Sequence, residues 1–315
     1  MLSILALTIP VFVIVALGFG AGRAVLFSAD QFRGMGKFVL QFALPALTFD
    51  TLARRPLAEI FEPAYLAAYG LGSVAMFLLA LLVIRFAARQ DTGRAAILAL
   101  GASSSNSAFM GYPIVFQLVG SSAAVALAHT MVIENLIVIP LALAVAEVTE
   151  HRGARILVIL SRTLVNLLKM PLILGMILGA AFSATGLPLP EVAALPIEML
   201  ARASAPVALF VIGGSLVSVK IGQDGPAAGA IASAKLLLHP LMVALAILLV
   251  PIKDPALAAA AILYAAVPML SIYPLLASRH GNERLGAVAL LLAVGASFIT
   301  VSCFLWLIEK GIMPL

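Results

Sequence analysis

A cluster of small polar residues interrupts an otherwise apolar part of the chain, in the sequence GASSSNSAFMGYPIVF from Gly101 to Phe116. Serine and asparagine hydrogen-bond to nearby backbone groups and proline lacks a backbone N–H, so this composition favours a break in a helix. Its candidate side chains are Ser105, Asn106, Ser107, Tyr112 and Pro113. They can bind either a ligand or the backbone groups that such a break leaves without partners.

A second cluster of the same kind lies near the other end of the chain, in the sequence YAAVPMLSIYPLLASRHG that begins at Tyr264. In this cluster Pro268 and Pro274 bracket Ser271 and Tyr273. Proline kinks and serines also occur in membrane helices that bind nothing, so one such segment alone favours a structural role. Two breaks at corresponding positions of a chain favour a binding site. We expect Pro113 and Pro268 to begin half-helices whose backbone N–H groups would hold an anion.

The composition of the chain places both clusters in a membrane. Of its 315 residues, 63% are hydrophobic and 10% are charged. In soluble domains about half of the residues are hydrophobic and about a quarter are charged. Apolar runs of about 20 residues, the length that crosses a bilayer as a helix, recur along the chain. In lipid, a helix is broken only where protein or a water-filled cavity satisfies the freed backbone groups. Their N–H groups and carbonyls can then form a binding site near the midplane.

Charged and amide side chains inside the apolar runs are further candidates, because such groups are costly in lipid. Glu134 and Asn135 lie mid-span, and Glu134 serves either proton or cation coupling or a structural pairing inside the bundle. Asp50 lies near the end of its span and is either an end-cap or a pathway residue. Lys235 and His239 lie one helical turn apart. They either reach the interface and cap a carbonyl, or face a cavity where they would suit an anion.

Other function classes find little support in the sequence. The four histidines lack a His-Glu-x-x-His spacing, and Gly-x-Ser-x-Gly segments and glycine-rich phosphate loops are absent, which argues against an enzyme or an ATP-driven pump. The basic residues lie at span ends and form no nucleic-acid-binding face. The single cysteine, Cys303, can form neither an internal disulfide nor a cysteine-based metal site. We therefore expect no cofactor, and a channel stays an alternative because broken helices also line pores.

The fold class that we predict is an all-α polytopic membrane protein with ten transmembrane helices. Charged residues and Gly/Pro turns divide the chain into spans near residues 3–22, 32–53, 61–84, 93–118, 122–146, 155–182, 194–218, 229–250, 256–278 and 285–308. The fourth and ninth spans contain the two polar clusters. The N-terminal run has no preceding basic residue and is long for a signal peptide, so we interpret it as the first span.

The loop charges predict the orientation of these spans. One set of alternate loops contains Arg23, Arg33, Arg85, Arg89, Arg94, Arg152, Arg155, Lys220, Arg279 and Arg284, and the other contains Arg54, Arg55, Lys253 and Lys310. Because Lys and Arg accumulate in cytoplasmic loops, the first set is predicted to be cytoplasmic. Both termini are then on the outer side.

A weak internal repeat divides the chain into two halves. The segment LPALTFDTLA from Leu44 resembles APVALFVIGGSL from Ala205, and each half has a proline-interrupted fourth span. Five spans per half give the halves opposite orientations, which is typical of secondary transporters. The predicted boundaries are a first five-helix repeat at 1–146, a short cytoplasmic linker at 147–154 and a second, inverted repeat at 155–315.

Three segments of this chain resemble the auxin efflux carrier family. NSAFMGYPIVFQLVG is similar to the family's fourth span, KLLLHPLM from Lys235 to its eighth, and AAVPMLSIYPLLASRHGNE to its ninth with the following loop. The resemblance implies two inverted five-helix repeats whose fourth and ninth spans cross at their breaks, dimers in the plant members, and transport of organic anions. Some bacterial members are associated with malonate or malate. Ile272 replaces an asparagine that many relatives have, so Ser271 or Tyr273 would take its role.

The function expected from these observations is secondary transport of small organic anions by alternating access. The substrate would be a mono- or dicarboxylate, auxin-like or malonate/malate-like, and coupling to H+ or Na+ stays open; an ion-coupled antiporter is the alternative. The expected partners are the substrate, the lipid of a bacterial inner membrane and, from the resemblance, a second copy in a homodimer, with no nucleic acid. Residues proposed to bind the substrate are Ser105, Asn106, Ser107, Tyr112, Pro113, Pro268, Ser271 and Tyr273.

Overall fold

The chain is helical throughout the part that the structure describes. The structure is a computed structural model and describes residues 2–56, 60–150, 165, 168–217, 219–278 and 281–313. Within these residues there is no β-strand. Six of the described helices are long and apolar enough to cross a membrane, namely Leu5–Arg23, Pro63–Ala87, Ser122–Ala146, Glu191–Ser215, Gly222–Leu249 and Glu283–Glu309. These features agree with the predicted all-helical, multi-pass membrane protein, whereas its division into ten spans stays a prediction.

The described residues up to 150 form eight α-helices. They are α1 (Leu2–Arg23), α2 (Ala29–Phe38), α3 (Leu44–Ala53), α4 (Pro63–Leu82), α5 (Thr92–Ser103), α6 (Tyr112–Val119), α7 (Ser122–Ile133) and α8 (Ile139–Glu150). Five-residue π-helical turns lie at Val39–Ala43, Val83–Ala87, Ser107–Gly111 and Glu134–Val138. The first of them joins α2 to α3 and the last joins α7 to α8, so each of these pairs is continuous.

The described residues after 168 form seven more helices. They are α9 (Pro171–Ala184), α10 (Glu191–Ser215), α11 (Gly225–Ser233), α12 (His239–Leu249), α13 (Pro255–Ala266), α14 (Tyr273–Ser278) and α15 (Glu283–Glu309). A π-helical turn at Ala234–Leu238 joins α11 to α12. Within the predicted linker and sixth span, residues 151–164 and 166–167 lie outside the described residues. The loop arginines Arg152, Arg155 and Arg279 lie outside them too.

The helices pack in two groups. In the first group, which we call the panel, α1 packs on α10, α9 packs on α3, and α10 crosses α3. The second group, which we call the core bundle, contains α4 to α8 and α11 to α15, and its central contacts join α4 to α12, α5 to α8 and α15 to α11 and α14. The two groups meet where α10 contacts the turn at Ser107–Gly111 and where α3 contacts α7.

Glycines allow the panel helices to approach closely. A Cβ atom added to Gly213 of α10 would overlap the carbonyl oxygen of Val15 in α1, and one added to Gly175 of α9 would lie 2.5 Å from the carbonyl oxygen of Pro45. Without a hydrophobic driving force between helices in lipid, such backbone contact supplies the packing energy. Larger residues at these positions would therefore separate the paired helices.

The two predicted breaks are present, but their boundaries differ from the prediction. In the fourth span the non-helical residues are 104–106, and the chain is helical again from Ser107, so the break ends before Pro113. Pro113 lies in the first turn of α6, as predicted. In the ninth span α13 ends at Ala266, and Pro268 lies in the non-helical segment that follows. The prediction that Pro268 starts a half-helix is therefore wrong, because α14 begins at Tyr273.

Candidate functional site

The two broken helices meet and are joined by hydrogen bonds. The backbone N–H of Asn106 donates to the carbonyl oxygen of Pro268 over 2.8 Å, and the Asn106 side-chain amide donates to the hydroxyl of Ser271 over 2.6 Å. The carbonyl of Asn106 accepts from the N–H groups of Met110 and Gly111. We call this contact between the non-helical residues 104–106 and 267–272 the crossing. Its residues supply hydrogen-bond partners for the backbone groups that the two breaks expose, as burial in an apolar bundle requires.

A cavity with basic side chains opens between the panel and the crossing. This basic cavity has a volume of about 660 Å³ and is lined by Arg33, Lys37 and Gln41 of the second span and by Ser271 and Ile272 of the ninth. The three residues of the second span are four apart in sequence and so lie in one row along the helix. Among the described residues that line this cavity there is no Asp or Glu. An anion is therefore the charged ligand that it suits.

A second cavity lies at the other end of the same panel helices. This ion-pair cavity has a volume of about 570 Å³, and two i,i+4 ion pairs line it: Arg54 with Asp50 at 2.8 Å, and Arg202 with Glu198. Tyr112 lines it as well, so Tyr112 lies away from Ser271 and the basic cavity. Arg55 lines this cavity too and donates to the Ser121 hydroxyl, so the cavity contains carboxylates, unlike the basic cavity, together with one arginine outside the two ion pairs.

A short barrier separates the two cavities. On the second span the last residue that lines the basic cavity is Gln41 and the first that lines the ion-pair cavity is Leu47; on α10 the limits are Val211 and Ala205. Each interval is six residues, or roughly 9 Å at the rise of an α-helix. The two cavities thus approach each other from opposite ends of the same helices and are closed off in the middle.

Glu134 binds the fourth span directly beside Asn106. Its carboxylate accepts hydrogen bonds from the backbone N–H of Ser105 at 2.8 Å, from the Ser107 hydroxyl at 3.0 and 3.1 Å and from the Tyr69 hydroxyl at 3.0 Å. The side chains of Ser105, Ser107 and Glu134 are buried, and none of the three lines the basic cavity. These two serines therefore belong to the carboxylate network and do not line a cavity.

Lys235 binds the end of the other broken helix. Its ammonium group is fully buried and donates to the carbonyl oxygen of Ala265, in the last turn of α13. A cation is favoured at the C-terminal end of a helix, where carbonyls lack partners and the dipole is negative. His239, one turn further on, hydrogen-bonds through Nε2 to the hydroxyl of Ser73 at 2.9 Å.

Three other predicted site residues pack within or against the protein's own helices. The Asn135 amide donates to the Met131 carbonyl on its own helix, four residues back. Tyr273 is completely buried, and its ring and hydroxyl pack against the backbone of Gly101. Pro113 is buried in α6. Of these three residues, Tyr273 has a buried hydroxyl without a hydrogen-bond partner. This hydroxyl is therefore free to form a hydrogen bond after a change in conformation.

The comparison with known protein families decides what kind of protein carries this site. The family model described as "Membrane transport protein" matches residues 3–307, nearly the whole chain. The chain belongs to this family. The transporter thus has its two broken helices and both cavities within the matched region, and the comparison places it in a transporter family and not in a family of enzymes.

Individual relatives of the transporter have related descriptions. A protein of Rhizobium meliloti (strain 1021) described as "Putative malonate transporter" is 28% identical over 100% of this chain and 98% of its own length. "Uncharacterized transporter YfdV" of Escherichia coli (strain K12) is 28% identical over 67% of this chain and 68% of its own. "Auxin efflux carrier component 8" of Arabidopsis thaliana is 27% identical over 48% of this chain and 42% of its own length. The predicted resemblance to auxin efflux carriers is confirmed.

The sequence left some residues of the transporter's site unrecognised. Tyr69, which bonds both Glu134 and the Ser105 hydroxyl, lies in an apolar run where a tyrosine is unremarkable. Lys37 and Gln41 lie inside the predicted second span at 32–53 and were not proposed as site residues, and only their spacing of four residues hints at a shared face. Among the described residues no group of three His, Cys, Asp or Glu could hold a metal ion.

Proposed function

We propose that the transporter is a secondary carrier of small organic anions of the mono- or dicarboxylate type. The observation that carries this proposal is the basic cavity, which contains Arg33 and Lys37 without an acidic residue and ends at Ser271. Arg33 is paired with Asp30 outside the cavity lining, so Lys37 supplies the uncompensated charge. A carboxylate drawn in by Lys37 would meet the Ser271 hydroxyl, which the Asn106 amide orients.

The proposed binding residues differ in how directly they contact the substrate. Ser271 lines the cavity and Asn106 stands behind it with 4% of its surface exposed. Ile272, in the same cavity lining, would contact the apolar part of the substrate. Tyr273 would act only after a movement of α14. Malonate, named in the description of one relative, and auxin-like acids are the substrates to be tested first.

The proposed architecture is two inverted repeats of five spans each. Its support comes from pairs of equivalent contacts: α1 packs on α10 as α9 packs on α3, which are the first-to-seventh and sixth-to-second contacts of a ten-span protein. The two breaks occupy corresponding fourth and ninth positions, α5 to α6 and α13 to α14. An inverted repeat requires both correspondences.

Alternating access would expose the crossing to one cavity at a time. The two cavities end at a barrier about 9 Å thick on both panel helices, which supports a carrier over an open channel. Movement of the core bundle against the panel would transfer the substrate from the basic cavity to the ion-pair cavity. We place the protein in the inner membrane with both termini outside, as the loop charges predict; the homodimer stays a prediction from the resemblance.

Uptake into proteoliposomes tests this function. Purified protein is reconstituted, and uptake of labelled malonate, malate, monocarboxylates and an auxin-like aromatic acid is measured with and without excess unlabelled competitor. We expect saturable uptake of at least one carboxylate that others inhibit, and rapid exchange against the same carboxylate inside. Conductance that does not saturate would indicate a channel. If none of the tested acids is exchanged or taken up, the proposed substrate class is wrong.

Lys37→Met tests the observation that carries the proposal. Loss of the uncompensated cation should raise the concentration for half-maximal uptake about ten-fold, which corresponds to the interaction of one partly screened charge. Lys310→Met, at the C-terminal end of α15 and outside both cavities, is the matched control. An unchanged uptake curve for Lys37→Met would show that the basic cavity is not the substrate's entrance.

A further inference from the structure

Two opposite charges are buried beside the crossing, one at each broken helix. Glu134 and Lys235 are both completely shielded from solvent. They interact electrostatically, although these two described residues form no direct salt bridge. Because an isolated charge in lipid is costly, each offsets the other when the carrier is empty. A substrate anion at Ser271 would add a second negative charge to the same region.

We propose that Glu134 is the proton-binding site of this carrier, so that one proton on Glu134 accompanies each substrate anion. The proposal rests on the proposed function and specifies its coupling ion. A proton from water on one side forms an O–H bond with the Glu134 carboxylate as the anion binds, and it returns to water on the other side as the anion leaves. Lys235 keeps its charge throughout and is balanced by Glu134 or by the substrate in turn.

The hydrogen bonds of Glu134 permit both protonation states. Two of its partners are hydroxyls, of Tyr69 and Ser107, and a hydroxyl can donate to a carboxylate or accept from a carboxylic acid by rotating. An arginine or lysine in direct contact would hold the carboxylate ionised instead. The network can therefore take up a proton without losing its bonds.

The same partners argue against a sodium ion at this carboxylate. Na+ requires several oxygen lone pairs directed at it, as hard cations generally do. The Ser105 partner is a backbone N–H that cannot turn into an acceptor, so only the hydroxyls of Tyr69 and Ser107 could add oxygen ligands to the carboxylate, fewer than a hard cation takes. A proton is thus the cation that the site accommodates.

Other titratable groups near Glu134 come from each element packed against it. Tyr65 and Tyr69 come from α4, Tyr264 from α13, Lys235 from the π-helical turn before α12, and His239 follows that turn. These described neighbours are tyrosines, a lysine and a histidine, so Glu134 is the carboxylate of the group. It is therefore the side chain that loses a negative charge when it takes up a proton. Its partners Ser105 and Ser107 flank Asn106, so Glu134 lies beside the proposed substrate-binding residues.

Substrate-driven proton movement tests the proposal. Proteoliposomes contain a trapped pH-sensitive dye, and the carboxylate with the fastest exchange in wild-type protein is the probe. With wild type, adding the probe outside should acidify the lumen, and an inward pH gradient of one unit should accumulate the probe about ten-fold, as 1:1 coupling requires. Glu134→Gln should keep probe-for-probe exchange, lose the acidification and show no accumulation. Net uptake should also slow, because the empty variant carries Lys235 without its counter-charge.

Controls separate this inference from the function on which it rests. Glu191→Gln, an exposed carboxylate in the first turn of α10, should behave as wild type. If Glu134→Gln does not fold, the double variant Glu134→Gln/Lys235→Met provides the same test without a net buried charge. Wild-type exchange together with lumen acidification by either variant would overturn the proton site and show that the proton travels on the substrate or another group. Absence of exchange in wild type would overturn the proposed function itself.

Discussion

Asn106→Ala is the most direct test of the crossing as a binding site. The substitution removes the amide that donates to Ser271 over 2.6 Å, but it keeps the backbone hydrogen bond from residue 106 to Pro268. The two breaks therefore stay joined. The Ser271 hydroxyl lines the cavity, so water can replace its lost partner, and the free energy of unfolding should fall by only about 0.5 to 1.5 kcal/mol.

The effect on affinity should be larger than the effect on folding. A hydrogen bond to a charged group contributes roughly 1.5 to 3 kcal/mol, so loss of the amide that orients Ser271 towards a carboxylate should raise the Kd ten-fold or more. Both quantities are measured on the same purified variant, by titration calorimetry with the best carboxylate and by thermal unfolding.

A double-mutant cycle shows whether Asn106 acts through Ser271. In the Ser271→Ala background, Asn106→Ala should weaken binding little further, because the contact that it supports is already gone. Ser278→Ala, whose hydroxyl bonds the Leu275 carbonyl of α14, is the control. A lowered melting temperature with an unchanged Kd in Asn106→Ala would refute the reasoning and assign Asn106 to the backbone alone.

Three further predictions concern the rest of the molecule. Lys235→Met should destabilise the fold by about 3 to 5 kcal/mol, because Glu134 loses its counter-charge, and the double variant Glu134→Gln/Lys235→Met should unfold at a higher temperature than Lys235→Met. Gly101→Ala should displace the ring of Tyr273, whose Cε1 atom would lie 2.9 Å from the new Cβ, and should slow transport, measured as exchange, more than it lowers stability. Membrane-impermeant reagent should label a cysteine added at either terminus of intact cells.

Each of these predictions has a contrary result. A double variant as unstable as Lys235→Met would mean that the two charges do not offset each other. Wild-type exchange in Gly101→Ala would mean that the contact between α5 and Tyr273 is not part of the transport cycle. Labelling of a terminal cysteine only after permeabilisation would reverse the assigned orientation and with it the cytoplasmic loops.

Local chemistry made the broken helices predictable, and it also explains the errors in their boundaries. Ser104, Ser105 and Asn106 break the fourth span because side chains of these types compete for backbone groups. Pro113 lies in the first turn of a helix as expected, because its missing N–H costs nothing there, whereas Pro268 does not begin a helix. In the ninth span Pro268 follows the end of α13, and Pro274 occupies the corresponding first turn of α14.

The grouping of side chains around the crossing depends on tertiary contacts that a single sequence does not contain. Glu134 was identified as costly in lipid, but its partner Tyr69 lies 65 positions away in a helix without polar patterning. Similarly, Lys235 was assigned to the interface or a cavity, whereas it binds the carbonyl of Ala265. Sequence spacing predicts which residues share a helix face, and it does not predict which helix that face meets.

The thin barrier between the cavities determines how the carrier experiences the membrane voltage. If the two cavities open to opposite sides of the membrane, as proposed, water in them would bring the electrical potential of each bulk solution up to the barrier. The voltage that otherwise falls over about 30 Å of hydrocarbon would then fall over roughly 9 Å at the segments that contain Pro45 and Pro206. A lone anion that crosses this barrier moves through the whole voltage, or about 2.3 kcal/mol for each 100 mV. A singly charged anion accompanied by a proton on Glu134 carries no net charge through it, so the accumulation of a monocarboxylate would be independent of voltage.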